Sequence, residues 1–148
     1  MEAPKRTTRR LKYNVTQCSG CLNCVMNCAQ AKSGIASPSL ARIRADLAPF
    51  TGDHAVHYCR QCEKPECVDA CKFEAYERAA ETQAVVHIEE KCTRCGACVK
   101  ACSFGMIVQN PKTGEILKCD LCSGEPVCAD SCVTGALQFV AAEEVVPK

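Results

Sequence analysis

Tryptophan is absent from this chain, and aromatic residues make up only 5% of its 148 residues. The hydrophobic fraction of 47% counts 16 cysteines, so few apolar side chains remain for an ordinary core. Small domains with thin cores usually need disulfides or metal sites to be stable. The sequence therefore predicts that its cysteines stabilise the fold.

Long apolar runs are also missing, so no segment is long enough to span a membrane as a helix. The N-terminus is basic, but no apolar segment follows it, which argues against an export signal. The formal net charge of +1 gives no indication of a nucleic-acid partner. These absences favour a cytoplasmic protein, in which many cysteines are typical of metal binding rather than of disulfides.

Signatures of catalysis are lacking as well. The chain has no G-x-G-x-x-G or P-loop motif and no constellation of Ser, His and Asp. We expect His54, His57 and His87 to be ordinary surface or packed residues rather than ligands or acid–base groups. The sequence therefore predicts no catalytic residues and no enzyme activity of the chain itself.

The cysteines fall into four groups of four, and every group ends in C-x3-C. Groups one and three have the spacing C-x2-C-x2-C-x3-C, whereas the middle gap is four residues in group two and five in group four. The groups are Cys18, Cys21, Cys24 and Cys28; Cys59, Cys62, Cys67 and Cys71; Cys92, Cys95, Cys98 and Cys102; and Cys119, Cys122, Cys128 and Cys132.

This spacing is typical of bacterial [4Fe–4S] binding, in which the fourth cysteine ligates the other cluster of a pair. Three closely spaced thiolates can wrap one compact cluster, and the fourth lies one helical turn further on, where it projects away from its own loop. Structural zinc favours two C-x2-C pairs separated by a longer loop, so it is the weaker alternative. Disulfides would close strained small loops. One [3Fe–4S] or one empty site within the set stays open.

Short elements are predicted around these groups. The pattern indicates strands at residues 11–15, 84–90 and 135–146, a strand with a turn at 39–50, and a hairpin at 105–120. Helices are predicted for residues 25–34, ended by Gly34, and for residues 67–81. We expect the basic residues Lys5, Arg6, Arg9, Arg10 and Lys12 to form a solvated tail, or alternatively a docking strand for a partner subunit.

Five segments give the chain a family resemblance. It resembles the four-cluster iron–sulfur subunits of molybdenum and tungsten oxidoreductases, and most closely the compact ones that serve tungsten aldehyde oxidoreductase, carbon monoxide dehydrogenase or hydrogenase complexes. The match covers residues 11–140 and rests on CSGCLNCVMNC (18–28), LARIRA (40–45), CRQCEKPECVDAC (59–71), EKCTRCGACVKACSFGMI (90–107) and LKCDLCSGEPVCADSCVTGAL (117–137).

The resemblance implies an α+β fold of two ferredoxin-like lobes, the second inserted into the first, around four [4Fe–4S] clusters. The outer lobe would comprise residues 11–50 and 117–140, and the inserted lobe residues 51–116. Residues 1–10 and 141–148 would be tails. The implied ligands are Cys18, Cys21, Cys24 and Cys132 for cluster one; Cys59, Cys62, Cys67 and Cys102 for cluster two; Cys92, Cys95, Cys98 and Cys71 for cluster three; and Cys119, Cys122, Cys128 and Cys28 for cluster four.

One departure from the familiar pattern is the missing proline after the fourth cysteine of each group. Ala29, Lys72, Ser103 and Val133 stand there instead. Each adds a backbone N–H that proline would lack, which bears on the potential of a nearby cluster. Lys72, Arg60 and Arg94 lie in or next to cysteine loops, where a cation would favour the reduced cluster; the alternative is that they point to solvent.

The resemblance implies a non-catalytic electron-transfer subunit. Its partners would be a catalytic subunit with a tungsten or molybdenum cofactor and a flavin-containing subunit, a ferredoxin or a further carrier, with self-association as another option. The alternatives are an independent soluble polyferredoxin and the iron–sulfur subunit of a hydrogenase, carbon monoxide dehydrogenase or benzoyl-CoA reductase complex. The near-neutral pI of about 7.4 favours a held subunit, because free carriers are usually acidic.

Overall fold

A computed structural model describes residues 8–142, and the outer parts of both predicted tails lie outside these residues. The chain forms short helices and strands in an α+β arrangement. The helices are α1 (Asn23–Ser33), α2 (Glu66–Asp69), α3 (Ala97–Ala101) and α4 (Val127–Asp130). The strands are β1 (Arg9–Tyr13), β2 (Arg44–Asp46), β3 (Ala55–His57), β4 (Tyr76–Arg78), β5 (Val85–His87), β6 (Val108–Gln109), β7 (Ile116–Leu117) and β8 (Leu137–Ala141).

The strands form four antiparallel pairs, β1–β8, β2–β3, β4–β5 and β6–β7. The pair β1–β8 joins the two ends of the described chain, with Leu11 opposite Phe139. The hairpin β6–β7 confirms the prediction for residues 105–120, because two short apolar runs flank a turn with Gly114 at φ 75°. No helix within residues 8–142 has the length and apolar character needed to cross a membrane.

Helix α1 confirms the predicted helix and its end. Gly34 has φ 71° and donates its N–H to the Gln30 carbonyl at 2.9 Å, which is the left-handed ending that glycine favours. Val25, Cys28 and Ala29 form its buried face. The helix therefore holds one cysteine, Cys28, inside the molecule while presenting Cys24 one turn earlier.

The predicted helix over residues 67–81 is wrong beyond its first turn. α2 ends at Asp69, and strand β4 follows, pairing Tyr76 with His87 of β5. Glu74 has φ 51°, which no helix accommodates, and the Ala75 amide donates to Cys71 Sγ at 3.4 Å. Pairing with β5 and burial of Tyr76 outweigh the local helix propensity.

The basic N-terminal segment also differs from a free tail where it is described. Arg9, Arg10 and Lys12 lie in β1. The Arg9 guanidinium stacks 4.4 Å from the centroid of the Phe139 ring and donates to the Phe139 carbonyl. The strand thus begins two residues inside the segment predicted as a tail, because cross-strand contacts with β8 fix its side chains. Lys5 and Arg6 lie outside the described residues.

Two separate hydrophobic cores hold these elements together. The first core comprises Leu11, Val25, Cys28, Ala29, Ala41, Ile43, Val56, Tyr58, Ala84, Leu121, Cys128 and Leu137. The second core comprises Cys67, Tyr76, Val85, Cys98, Ile107 and Ile116. Strand β3, which lies within the segment expected as the inserted lobe, pairs with β2 and packs Val56 into the first core.

Candidate metal centres

Each core is flanked by cavities whose walls contain cysteines. Four cavities have empty volumes of about 290 to 410 Å³, open solvent at their mouths included. Cavity one is lined by Cys18, Cys21, Cys24 and Cys132; cavity two by Cys59, Cys62, Cys67 and Cys102; cavity three by Cys71, Cys92, Cys95 and Cys98; and cavity four by Cys28, Cys119, Cys122 and Cys128. These are the four sets of cysteines that the resemblance implies as ligands.

The C-x3-C ending of each group distributes its last two cysteines between neighbouring cavities. On α1, Cys24 faces cavity one and Cys28 faces cavity four. At α2, Cys67 lines cavity two while Cys71, just beyond the helix, lines cavity three. One helical turn therefore separates two centres, and cavities one and four, and likewise two and three, share helices.

Left-handed backbone shapes all four cysteine loops. The residue before the second cysteine is Gly20, Gln61, Arg94 or Leu121, with φ of 70°, 49°, 60° and 57°. Such conformations turn successive backbone N–H groups toward one point and create a concavity for an anion, as in many iron–sulfur sites. Three of these four residues are not glycine, so the loops adopt a conformation that costs energy without a ligand.

Gly20 is required by space as well as by its backbone angle. A Cβ atom at this position would lie 2.7 Å from Nε2 of His54, whose ring lines cavity one. The His54 ring is fixed from its other side, since the Ala48 amide donates to its Nδ1 at 3.0 Å. His54 therefore packs directly against the first cysteine loop.

Backbone amides point at the sulfur of every trailing cysteine. Amide nitrogens lie 3.2 to 3.4 Å from these sulfurs, in the pairs Arg42 to Cys28, Ala75 to Cys71, Met106 to Cys102, and Leu137 to Cys132. Hydrogen bonds to the charged form of a group stabilise that form, so these amides favour thiolates. Thiolates are the form in which cysteine ligates metal.

Burial acts in the opposite direction on several thiols. It raises the pKa of Cys24 and of Cys67 to about 11 and that of Cys119 to about 12. At Cys132, burial is outweighed by hydrogen bonds from the Leu137 amide and the Thr134 hydroxyl, which hold the pKa of that thiol below its ordinary value. Metal binding to the buried thiols would therefore release protons.

Two buried polar side chains connect cavity two with cavity four. Gln61, 2% exposed, donates to the Cys119 carbonyl at 2.9 Å and accepts from the Val85 amide at 2.8 Å. Lys118, 8% exposed, lines cavity two and donates to the carbonyls of Val85 at 2.5 Å and Cys119 at 2.9 Å. Both side chains thus bind the same two residues of the backbone, where the two cores meet.

Cavities one and three lie at the surface, because each contains an exposed cysteine, Cys21 and Cys95 respectively. Each cavity is also lined by one tyrosine and one histidine. In cavity three the Tyr76 hydroxyl and His87 Nε2 are buried, and neither has a hydrogen-bond partner within residues 8–142. Buried polar atoms of this kind usually indicate a group that completes their hydrogen bonding.

The remaining candidate residues from the sequence lie at the edges of these sites. His57 binds Asp46 at the surface, with 2.8 Å between Nε2 and Oδ2. Arg94 binds Glu89, and the Arg60 guanidinium lies 4.9 Å from the centroid of the Tyr58 ring. The expectation of ordinary packing holds for His57, whereas His54 and His87 line cavities one and three.

Sequence reasoning missed Gln61, Tyr76 and Lys118. The signal for Lys118 was its position in the apolar run EILKC, directly before a cysteine. Within residues 8–142, no three His, Cys, Asp or Glu side chains converge as they would on a single metal ion. A cubane cluster instead takes one thiolate per iron around a body of finite size. The cavities, the cysteine sets, the amide donors and the unpartnered polar atoms all fit such a group.

Comparison with known proteins places this geometry in a family. Residues 51–142 match the family model of the 4Fe-4S dicluster domain. The chain is 42% identical over 117 residues to the polyferredoxin-like subunit of aliphatic sulfonate oxidoreductase from Pyrococcus furiosus, covering 78% of this chain and 66% of that protein. It is 32% identical over 139 residues to the beta subunit of NADH-dependent phenylglyoxylate dehydrogenase from Aromatoleum evansii, covering 91% of this chain and 31% of that protein.

A tetrathionate reductase subunit from Archaeoglobus fulgidus is 33% identical over 114 residues, covering 74% of this chain and 53% of that protein. The chain thus spans less than two thirds of the length of these curated relatives. Among solved structures, a chain of the active site complex BamBC of benzoyl coenzyme A reductase superposes with a TM-score of 0.53 at 21% identity, covering 90% of this chain and 79% of that chain. This likeness supports the ferredoxin-like α+β fold.

The relatives are named as subunits of oxidoreductases, and the family is defined by iron–sulfur clusters. Sixteen cysteines collected around four cavities agree with that chemistry. This chain therefore belongs to the 4Fe-4S dicluster domain family.

Proposed function

We propose that this chain carries electrons through four [4Fe–4S] clusters, one in each cavity. The ligands would be Cys18, Cys21, Cys24 and Cys132; Cys59, Cys62, Cys67 and Cys102; Cys92, Cys95, Cys98 and Cys71; and Cys119, Cys122, Cys128 and Cys28. The observation that carries the proposal is the grouping of all 16 cysteines into four cavities of four, each completed by the trailing cysteine of another group. Each bound cluster supplies a one-electron site.

The order of the cavities supports a linear path. Helix α1 separates cavity one from cavity four. The Cys119 backbone, held by Gln61 and Lys118, joins cavity four to cavity two. Helices α2 and α3 separate cavity two from cavity three. The exposed Cys21 and Cys95 then mark the two ends at which electrons enter and leave.

The proposed partner at one end is a catalytic oxidoreductase subunit, with a tungsten or molybdenum aldehyde oxidoreductase as the leading candidate. A flavoprotein, a ferredoxin or another copy of this chain would meet the other end. Names of relatives support an oxidoreductase complex, since they include subunits of aliphatic sulfonate oxidoreductase and of phenylglyoxylate dehydrogenase. The cytoplasmic location stays a prediction from the sequence.

Iron and acid-labile sulfide per chain, measured on protein purified without oxygen, test the cofactor content. We expect about 16 of each, from four clusters of four irons. A count of about 12 would indicate one incomplete site. Zinc without sulfide would overturn the electron-transfer proposal and leave a structural metal module.

The native size of the protein isolated from its own organism tests the partner. A large complex from which this chain dissociates only on denaturation supports a held subunit. A particle the size of one chain, reducible by a soluble reductant, would instead support an independent polyferredoxin. The catalytic subunit found in a large complex then identifies the substrate chemistry.

A further inference from the structure

The two cavities at the ends of the proposed path contain the same pair of residue types, but the hydrogen bonding of their tyrosine hydroxyls differs. Cavity one is lined by Tyr13 and His54, and cavity three by Tyr76 and His87. An inference from this difference rests on the proposed function, because it concerns the clusters held in these cavities.

In cavity one the Tyr13 hydroxyl binds protein, whereas His54 accepts a hydrogen bond at Nδ1 and, as a neutral ring, carries its proton on Nε2. The Tyr13 hydroxyl donates to the His54 carbonyl. The Ala48 amide donates to His54 Nδ1 at 3.0 Å. The single proton of the Tyr13 hydroxyl is therefore committed to a backbone acceptor.

In cavity three the corresponding groups bind nothing within the described chain. Tyr76 is 8% exposed, the His87 side chain is 9% exposed, and both the Tyr76 hydroxyl and His87 Nε2 lack hydrogen-bond partners among residues 8–142. Unmade hydrogen bonds of buried groups destabilise a protein. Two of them lining one small cavity indicate that a bound group accepts them.

The strand pairing holds this pair in place. Tyr76 and His87 are cross-strand neighbours in the β4–β5 hairpin, and their ring centroids are 5.2 Å apart at an interplanar angle of 58°. His87 Nδ1 lies 3.8 Å from a Glu89 oxygen, which is longer than a hydrogen bond. Nδ1 therefore makes no hydrogen bond that requires the imidazole proton. In the neutral tautomer with the proton on Nε2, the Nε2–H group can donate a hydrogen bond.

Tyr76 lies beside one of the proposed ligands. Tyr76 and Cys98 line the same cavity and pack in the same core. The sulfurs in this cavity carry extra negative charge when a bound cluster is reduced. Hydrogen bonds to the sulfurs are among the factors that set cluster potentials.

We propose that the Tyr76 hydroxyl and His87 Nε2–H donate hydrogen bonds to the sulfurs of the cluster in cavity three and raise its reduction potential, whereas the Tyr13 hydroxyl makes no such bond in cavity one. Tyr76 and His87 are positioning residues, since they act through the cluster and its ligands. The two ends of the path then differ in how readily they accept an electron, although their cysteine spacings are identical.

The test uses the full chain loaded anaerobically, with the potentials of all clusters measured by redox titration followed by electron paramagnetic resonance. Tyr76→Phe removes only the hydroxyl. We expect the reduction equilibrium of one cluster to become about tenfold less favourable, which is 59 mV for one electron. Tyr13→Phe is the matched control and should lower no potential.

A second variant and a second background keep the test decisive. His87→Phe retains a ring against Tyr76 and should lower the same potential as Tyr76→Phe. In a Cys24→Ala background, where cavity one lacks one ligand, Tyr76→Phe should still lower one of the remaining potentials. Loss of the effect in that background would contradict the proposal, because it would assign the effect to cavity one.

Unchanged potentials in fully loaded Tyr76→Phe and His87→Phe would overturn the inference while leaving the proposed function intact. An equal decrease in Tyr13→Phe would overturn it as well, because the two cavities would then not differ. A wild-type chain without iron and sulfide would instead overturn the proposed function itself. The two failures are therefore distinguishable on the same preparations.

Discussion

The half of the molecule around the first core and the half around the second core differ in what keeps them folded. The first half contains the 11-residue helix α1, the five-residue pair β1–β8 and a core of 12 buried residues of the described chain. The second half is built from helices and strands of two to five residues around a core of six. Cavities one and four adjoin the first core, and cavities two and three the second.

Buried apolar area stabilises a fold roughly in proportion to its extent. The first half therefore draws more of its stability from the protein itself. In the second half, two of the six core residues are the cysteines Cys67 and Cys98, and the buried polar atoms of Tyr76 and His87 are unpaired within residues 8–142. The difference teaches that bound clusters contribute more to the folding of the second half, because metal-binding energy is folding energy where no preformed site exists.

Removing one cysteine from each half gives the largest expected contrast. Cys24→Ala should lose only the cluster of cavity one, leaving about 12 irons per chain. Cys98→Ala should lose both clusters of the second half, leaving about 8, since that half has little core to hold its other site. Iron and sulfide analysis of anaerobic preparations measures this. Equal losses from the two variants would contradict the assigned difference.

Glycine substitutions in the cysteine loops sharpen the comparison. Gly20→Ala places a methyl group 2.7 Å from the fixed His54 ring, whereas Gly96→Ala meets only the end of the Gln109 side chain at 3.2 Å. Each also carries the cost of a left-handed alanine, about 1 kcal/mol. We expect Gly20→Ala to lower the free energy of unfolding by about 2–3 kcal/mol. The part beyond the cost of a left-handed alanine is the strain of displacing His54.

The control for this prediction is Gly52→Ala. Gly52 has φ 78°, and a Cβ atom at this position would meet no atom of residues 8–142 within 4 Å. The variant therefore isolates the backbone cost. The guanidinium midpoint for loss of the visible cluster absorbance compares the three variants. A Gly20→Ala midpoint equal to that of Gly52→Ala would show that the His54 contact costs nothing.

A partly buried ion pair stabilises the first half. Lys32 Nζ lies 2.5 Å from Asp120 Oδ1, and both side chains are about three-quarters buried. Asp120 also accepts from the Cys122 amide at 2.9 Å. Although burial opposes it, these hydrogen bonds and the Lys32 charge hold the pKa of Asp120 below its ordinary 3.8. Lys32→Met should lower the free energy of unfolding by about 1 kcal/mol. The same substitution at the exposed Lys91, Lys91→Met, is the control.

The sign of the pH dependence follows from that lowered pKa. A carboxylate with a depressed folded pKa stabilises the fold at pH above its unfolded value and loses this contribution as the pH falls through the folded value. The midpoint difference between wild type and Lys32→Met should therefore be constant above about pH 4 and shrink below it. A difference that grows on acidification would exclude Asp120 as the partner that matters.

The corresponding pair of the second half gives the smallest expected effect. Arg94 and Glu89 bind each other at 2.6 Å, but both side chains are more than 40% exposed. Exposed ion pairs contribute little, since water and salt screen them. Glu89→Gln should leave the midpoint unchanged within error, and a clear decrease would show that the second half does depend on its surface charges.

The sequence predicted best where chemistry is local. Helix α1 with its end at Gly34 and the hairpin β6–β7 follow from short-range patterns, and the structure contains both. The four cysteine sets followed from spacing together with a family resemblance. The β4 strand was missed, because the pairing of Tyr76 with His87 depends on a partner 11 residues away and overrides the helix propensity of the segment.

Interactions between distant segments could not be predicted. Lys118 and Gln61 meet at Val85 and Cys119 only because the two cores adjoin, and no motif encodes that contact. Left-handed backbone at Gln61, Arg94 and Leu121 was equally hidden, since glycine is the residue that such positions usually indicate. The cavities were predictable from the cysteines, but the residues that distinguish one cavity from another were not.

The hydrogen bonds that Gln61 and Lys118 both make to the Val85 backbone have a consequence for protein engineering. A designer who wished to cut out residues 59–117 as a small portable electron carrier would keep Gln61 but lose both Lys118 and the Cys119 carbonyl. The Val85 carbonyl would then face the new surface or remain unpaired, and Gln61 would have a donor without an acceptor. The two halves resemble modules, but an excised fragment that folds and functions would need redesigned hydrogen bonding around Val85 of β5.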